Sequence, residues 1–70
     1  MIYQVDDGAT GEHGPAHVHV IKAGERMVIN LAPISIRDIA GMGRVNVRAA
    51  VRTVEDHQTR LLAEWGRING

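Results

Sequence analysis

The longest regular pattern in this chain is a stripe of apolar side chains over residues 45–66. Successive members lie four or three residues apart, which is the spacing of one face of an α-helix. The stripe comprises Val47, Val51, Val54, Leu61 and Trp65, with Gln58 as its one polar member. Asn46 suits the N-cap and Gly66 the stop, so we predict one long C-terminal helix. Such a helix needs an apolar surface to cover, and this requirement constrains the whole fold.

The first half of the chain supplies that surface as predicted β-strands. Strands are expected over Met1–Val5, Ala16–Lys22 and Arg26–Ala32. Residues Ile34–Ile36 suit a short fourth strand, which we favour, or one helical turn beginning at Ser35. The predicted fold is α+β, a single domain over residues 1–70. In it, a small antiparallel sheet of three or four strands packs against one long C-terminal helix.

Gly24 and Glu25 suit the two central positions of a type II′ hairpin turn between the second and third strands. This turn predicts three cross-strand pairs: Val20 with Ile29, Val18 with Leu31, and His19 with Asn30. One face of the sheet then carries the apolar side chains that the helix is expected to cover: Val18, Val20, Met27, Ile29 and Leu31. The other face carries His17 and His19.

Composition limits the classes of function. Seventy residues without cysteine form a marginal core that no disulfide reinforces, so self-association or a protein partner is expected. Eight basic and eight acidic residues cancel, and bulk charge gives no reason to expect nucleic acid. No apolar run approaches the roughly 20 residues of a membrane span, and the N-terminus lacks a signal-peptide pattern. We therefore expect a cytoplasmic protein that does not contact membranes.

Three of the four histidines fall within seven residues, at His13, His17 and His19. Alternate residues of a strand share a face, so His17 and His19 should converge, and the turn at Gly14-Pro15 could bring His13 to them. Three neutral imidazoles so arranged could bind zinc or a similar ion. The shell could be completed by one of three other residues: Glu12, Asp7 or His57.

The same histidines also suit acid–base catalysis, which requires no cofactor. Histidine exchanges a proton near neutral pH, so a pair on one face can serve as base and acid in RNA cleavage. His13, His17 and His19 are therefore the predicted catalytic residues. The alternative is structural: the rings hydrogen-bond the loop into shape and border an interface.

Arginine accounts for seven of the eight basic residues, and its forked guanidinium suits phosphate. Arg44, Arg48 and Arg52 recur every four residues across the start of the predicted helix, with Arg37 preceding them. Like charges at that spacing repel, and a bound phosphate would remove the repulsion. Arg44 and Arg48 are therefore the predicted anion contacts, and a solvated charged face is the alternative.

Residues 12–20, Glu-His-Gly-Pro-Ala-His-Val-His-Val, resemble the signature of a small bacterial family, a domain of unknown function. Its members read approximately His-x-Pro-Pro-His-x-His-Val, followed by a glycine-containing hairpin and a helix ending near Leu-Leu-x-x-Trp. The matching residues are His13, Pro15, His17, His19 and Val20, then Gly24, then Leu61, Leu62, Glu64 and Trp65. Ala16 replaces the second proline, and residues 34–43 form a longer connection than usual.

The resemblance covers nearly the whole chain and implies a component of a toxin–antitoxin pair, with the toxin role suggested. We therefore expect a small bacterial protein that acts through an antitoxin-like protein partner and on RNA. The alternative is a non-enzymatic binding module, either an antitoxin-like regulator or a small inhibitor of the kind a phage encodes. Whether the chain is an enzyme stays open at this point.

Overall fold

The computed structural model describes residues 1–5 and 15–69. Its elements are β1 (Ile2–Val5), β2 (His17–Lys22), β3 (Glu25–Leu31), β4 (Ile34–Ala40), α1 (Arg44–Asp56) and α2 (Gln58–Asn69). The α+β class is confirmed, with a four-stranded antiparallel sheet and two helices. The strands lie side by side in chain order, so every strand pairs with its neighbours in sequence.

The predicted fourth strand is present and longer than expected. β4 extends over seven residues, and the alternative of a helical turn at Ser35 is wrong. Its isoleucines are β-branched residues that favour the extended backbone over a helical turn. β4 lies at one edge of the sheet, where β3 is its only partner strand among the described residues.

The β2–β3 hairpin turns one residue earlier than predicted. Ala23 and Gly24 occupy its centre with φ values of 50° and 83°, as a type I′ turn requires. The predicted type II′ turn at Gly24 and Glu25 is therefore wrong. The observed turn closes with Lys22 opposite Glu25, an opposite-charge pair, whereas the predicted turn would oppose Ala23 and Arg26.

The earlier turn moves the predicted pairing by two residues. The observed pairs are Val18 with Ile29, Val20 with Met27, His17 with Asn30 and His19 with Val28, so the three predicted pairs are wrong. Because side chains alternate with a period of two, a two-residue shift leaves each of them on its predicted face. The division into an apolar face and a histidine face is unaffected.

The single long helix predicted from the stripe is in fact two helices that meet at His57. The His57 amide is shared between the carbonyl oxygens of Thr53, at 3.1 Å, and Val54, at 3.2 Å. Its φ of −117° lies far from the helical value. No glycine or proline stands at this position, so no local signal in the sequence marks the break.

The helix ends also differ from the prediction. α1 begins at Arg44, with Gly43 as N-cap, and Asn46 lies inside the helix, where its Oδ1 accepts a hydrogen bond from Lys22 Nζ at 3.0 Å. α2 continues beyond Gly66, because the cost of glycine within a helix is only about 1 kcal/mol. Among the described residues, no helix is long and apolar enough to cross a membrane.

The core lies between the apolar face of the sheet and the two helices. Its buried members are Val18, Val20, Met27, Ile29, Leu31, Met42, Ala50 and Val54. Val47, Val51 and Leu61 pack against this cluster from the helices, so the predicted packing is confirmed for the stripe as far as Leu61. Trp65 differs, since it is half-buried and its ring lies against His17.

Candidate functional site

His17 and His19 lie on the same face of β2, as the alternation of the strand predicts. Their ring centroids are 5.3 Å apart and the planes meet at 67°, an edge-on arrangement. His17 shares its row of the sheet with Asn30, and His19 shares the next row with Val28. His13 falls outside residues 1–5 and 15–69, so its membership of the cluster stays a prediction.

His17 is held in place by its surroundings. It is fully buried, and so is its neighbour Val18, which means that the sheet is covered on both sides at this point. The His17 Nδ1 lies 3.0 Å from the carbonyl oxygen of Pro15, and the Trp65 ring lies 4.8 Å from the His17 ring. Because a carbonyl oxygen only accepts, Nδ1 is the donor in this hydrogen bond. These contacts fix the orientation of the His17 ring.

His19 has a more accessible position. It is half-buried, and its neighbours across the sheet are Gln4 on β1 and Val28 on β3. Of the two rings, His19 is therefore the one that a ligand can reach. His17 stands behind it as a fixed neighbour.

Arg37 reaches this face from β4, across the intervening strand. Its Nε donates to Asn30 Oδ1 at 2.9 Å, and its Nη2 donates to the Pro15 carbonyl oxygen at 3.1 Å. That carbonyl is the one that also accepts from His17 Nδ1. Asn30 in turn donates through Nδ2 to Ser35 Oγ at 3.1 Å, which fixes its amide with the oxygen toward Arg37. The guanidinium and the His17 imidazole thus flank one oxygen atom.

Arg44 and Arg48, the predicted anion contacts, are not brought to the histidines. The bond from Lys22 to Asn46 holds the start of α1 at the hairpin end of β2. His17 begins β2 at its other end, roughly 17 Å away along the strand. Both arginines are exposed, and they belong to a different part of the surface from His17.

The metal site predicted at His13, His17 and His19 stays a prediction, because several of its proposed ligands lie outside the described residues. Among the described residues, no group of three or more potential ligands is close enough to hold a metal ion. His13, together with Glu12 and Asp7, lies outside those residues. His17 uses Nδ1 for the Pro15 carbonyl, so Nε2 is the nitrogen with which its ring would ligate an ion.

His57, another predicted ligand, lies at the junction of the helices. It lines an open cavity of about 440 Å³ together with Tyr3, Val5, Thr53, Arg60, Leu61, Glu64 and Ile68. Neither His17 nor His19 lines this cavity. His57 therefore belongs to a separate surface feature.

The sequence did not predict the positions of two side chains on the histidine face. Arg37 places a positive charge beside Asn30, and the Trp65 ring lies against the His17 ring. Arg37 stands in the sequence beside the other arginines, and only the pairing of β3 with β4 brings it to Asn30. Trp65 follows the apolar stripe, which indicates core packing and does not point to His17. The pairing of His17 with Asn30 could have been predicted from the sequence, because it follows directly from placing the hairpin turn at Ala23 and Gly24.

Residues 8–66 match the model of the family described as "Domain of unknown function (DUF4160)". No curated protein and no solved structure matches the chain.

Proposed function

The chain belongs to the DUF4160 family, whose function is unknown, and on that premise we propose that it is a small toxin–antitoxin-type protein acting through a protein partner and on RNA. The toxin–antitoxin part rests on the resemblance of the histidine signature. The RNA part rests on one observation: His19, half-buried, stands edge-on to a fixed His17 on a face that also carries the Arg37 guanidinium. An imidazole beside a guanidinium is suited to a phosphodiester.

The chemistry that this arrangement supports is cleavage by the 2′-hydroxyl of RNA. His19 takes the proton from that hydroxyl, and the 2′-oxygen attacks the neighbouring phosphorus atom. The bond from phosphorus to the 5′-oxygen breaks, and the 5′-oxygen takes a proton from water. His17 keeps the His19 ring in position, because it is itself fixed by Pro15 and Trp65. The products are a 2′,3′-cyclic phosphate and a 5′-hydroxyl end.

A protein partner is supported by the edge of the sheet. β4 leaves one side unpaired among the described residues, and its Ile36 and Ile39 are 46% and 45% exposed. An extended segment of a partner can add a strand to such an edge and cover these side chains. The small core of a 70-residue chain gives association a further stabilising role.

The test is cleavage of single-stranded RNA by the purified chain, with the ends of the products identified. His19→Ala should lower the rate about 100-fold or more, the usual effect of removing a general base. His57→Ala is the matched control, because His57 is exposed at the helix junction and should leave the rate unchanged. Equal rates for His19→Ala and the unaltered chain, with both folded, would refute the catalytic proposal.

The second candidate is a non-enzymatic binding module, and the full burial of His17 favours it. A histidine locked by a carbonyl and an indole ring is what a structural role requires. This candidate expects no RNA cleavage and a loss of partner binding when Ile36 or Ile39 is replaced by lysine. Co-expression with the product of the neighbouring gene, followed by purification of the complex, measures that loss.

A further inference from the structure

We propose that Arg37, rather than Arg44 or Arg48, is the anion contact of the histidine face and binds a phosphate group through the end of its guanidinium. The inference deepens the proposed function and rests on it only for the identification of the phosphate as that of RNA. The site itself is defined by Arg37, Asn30 and His19.

The pairing of β3 with β4 puts Arg37 in this position. Arg37 lies two residues after Ser35, the partner of Asn30, so alternation along β4 gives it the face of Asn30. Ile29 pairs with Ile36 and Val28 pairs with Asp38, so Arg37 is also the extra residue of a β-bulge, a feature that is frequent beside active sites. Here the side chain extends over β3 to the start of β2.

In the described part of the chain, the guanidinium is held in place by uncharged acceptors. Its two acceptors are an amide oxygen and a carbonyl oxygen, and both are uncharged. Among the residues that the structure describes, the ion pair observed is that of Arg67 with Glu64, and no carboxylate pairs with Arg37. Asp38, next in sequence, is exposed and is not bonded to it. Within residues 1–5 and 15–69, no carboxylate therefore offsets the charge that Arg37 places at a fixed point of this face.

The donors that remain have the geometry of a phosphate contact. Arginine carries five N–H groups, and Arg37 uses the one on Nε and one on Nη2. One hydrogen on Nη2 and two on Nη1 remain, and hydrogens on neighbouring guanidinium nitrogens can bind two phosphate oxygens at once. Holding the fork by Asn30 and Pro15 lowers the entropy lost on binding.

The position of this fork relative to His19 suits a phosphodiester. Arg37 bonds to Asn30 in the row of His17, and His19 lies in the adjacent row of the same face. Side chains two residues apart on a strand are separated by roughly 7 Å. A phosphate bound by Arg37 would thus place the adjoining ribose within reach of the half-buried His19 ring.

The experiment measures binding rather than cleavage, so that its result is independent of catalysis. The full chain is titrated with inorganic phosphate and with a short single-stranded RNA, and binding is followed by NMR of the backbone and arginine Nε–H groups. The variants are Arg37→Gln, Arg37→Lys and Arg48→Gln. Arg48→Gln is the matched control, because it removes the same charge from the start of α1.

Arg37→Gln should weaken RNA binding about tenfold or more, the loss expected for one charge-assisted forked contact. Arg37→Lys keeps the charge but lacks the fork, and it should recover part of the affinity while retaining the fold. The slope of log affinity against log salt should fall by about 0.7 in Arg37→Gln, for one single-strand phosphate contact. Arg48→Gln should leave affinity within about twofold and the slope unchanged, as for an exposed charge away from the site.

Equal losses in Arg37→Gln and Arg48→Gln would overturn the inference, and so would the absence of phosphate and RNA binding in the unaltered chain. RNA cleavage that persists at full rate in Arg37→Gln would refute the Arg37 site and leave the proposed function standing. Phosphate binding at Arg37 without any cleavage would support the inference and refute the RNA-cleaving function.

Discussion

Val54 offers the most direct test of how this small domain is held together. It is fully buried in the second half of α1, and it packs in one cluster with Val18, Val20 and Ile29 of the sheet. We expect Val54→Asp to unfold the chain. The same substitution at Val45, which is 80% exposed on the same helix, should leave it folded.

The expected magnitude follows from burial. Removing a fully buried valine from the core loses about 1.5–3 kcal/mol. An uncompensated buried charge adds about 3–5 kcal/mol, which brings the cost to roughly 5–8 kcal/mol. A chain of 70 residues has a free energy of unfolding of roughly 3.5–10 kcal/mol. The cost therefore matches the whole stability of the domain.

Val45→Asp is expected to raise the free energy of unfolding, whereas Val54→Asp lowers it. The first turn of α1 contains no acidic residue, and Asp at Val45 would place a negative charge at the positive end of the helix dipole. A gain of about 0.3–1 kcal/mol is expected. The intermediate variant Val54→Ala removes two methyl groups and leaves a cavity, so it should cost roughly 2–3 kcal/mol.

The assay is thermal and urea unfolding followed by circular dichroism. Val54→Ala should lower the melting temperature by roughly 10–20 °C, since 1 kcal/mol corresponds to about 4–8 °C in a domain of this size. Val54→Asp should show no cooperative transition. A Val54→Asp variant that melts cooperatively close to the unaltered chain would refute the packing of α1 on the sheet.

Three further predictions concern the N-cap of α1, the β2–β3 turn and one side-chain hydrogen bond. Each is measured as a shift in the midpoint of urea unfolding. Gly43→Ser should stabilise the chain by about 1 kcal/mol, because the N-cap of α1 has no side-chain acceptor, an extended backbone and open space for a Cβ. Ala23→Asn should stabilise the hairpin by about 1 kcal/mol, since asparagine tolerates positive φ better than alanine, and Gly24→Ala should destabilise it by a similar amount. Gln58→Ala should cost about 0.5–1.5 kcal/mol, as Gln58 Nε2 donates to the Leu31 carbonyl oxygen at 2.7 Å, and an unchanged midpoint would show that water replaces this bond.

Gln58, the polar member of the apolar stripe, has a role that the helical pattern could not predict. Gln58 interrupts the stripe, and periodicity alone gives it no role. In the folded chain its amide reaches the carbonyl oxygen of Leu31, at the end of β3. The partner lies 27 residues away, so nothing local in the sequence identifies it. Long-range hydrogen bonds of this kind become visible only when the elements are placed together.

The sequence by itself determined what depends on short-range periodicity. Alternation put His17 and His19 on one face of β2 and Val18 and Val20 on the other. Helical spacing identified Val54 and Leu61 as core-facing residues. These features were robust because an error of two residues in strand pairing leaves every face unchanged. The class of the fold followed, since an apolar sheet face and an apolar helix stripe must cover each other.

The tertiary structure alone decided which polar residues meet. The pairing of β3 with β4 brings Arg37 to Asn30, whereas the linear sequence groups Arg37 with Arg44 and Arg48. The break at His57 and the placement of the Trp65 ring on His17 likewise carry no local signal. The contacts of Arg37 and of Trp65 join residues far apart in the chain. The relative positions of such residues are set by packing rather than by the preferences of neighbouring residues.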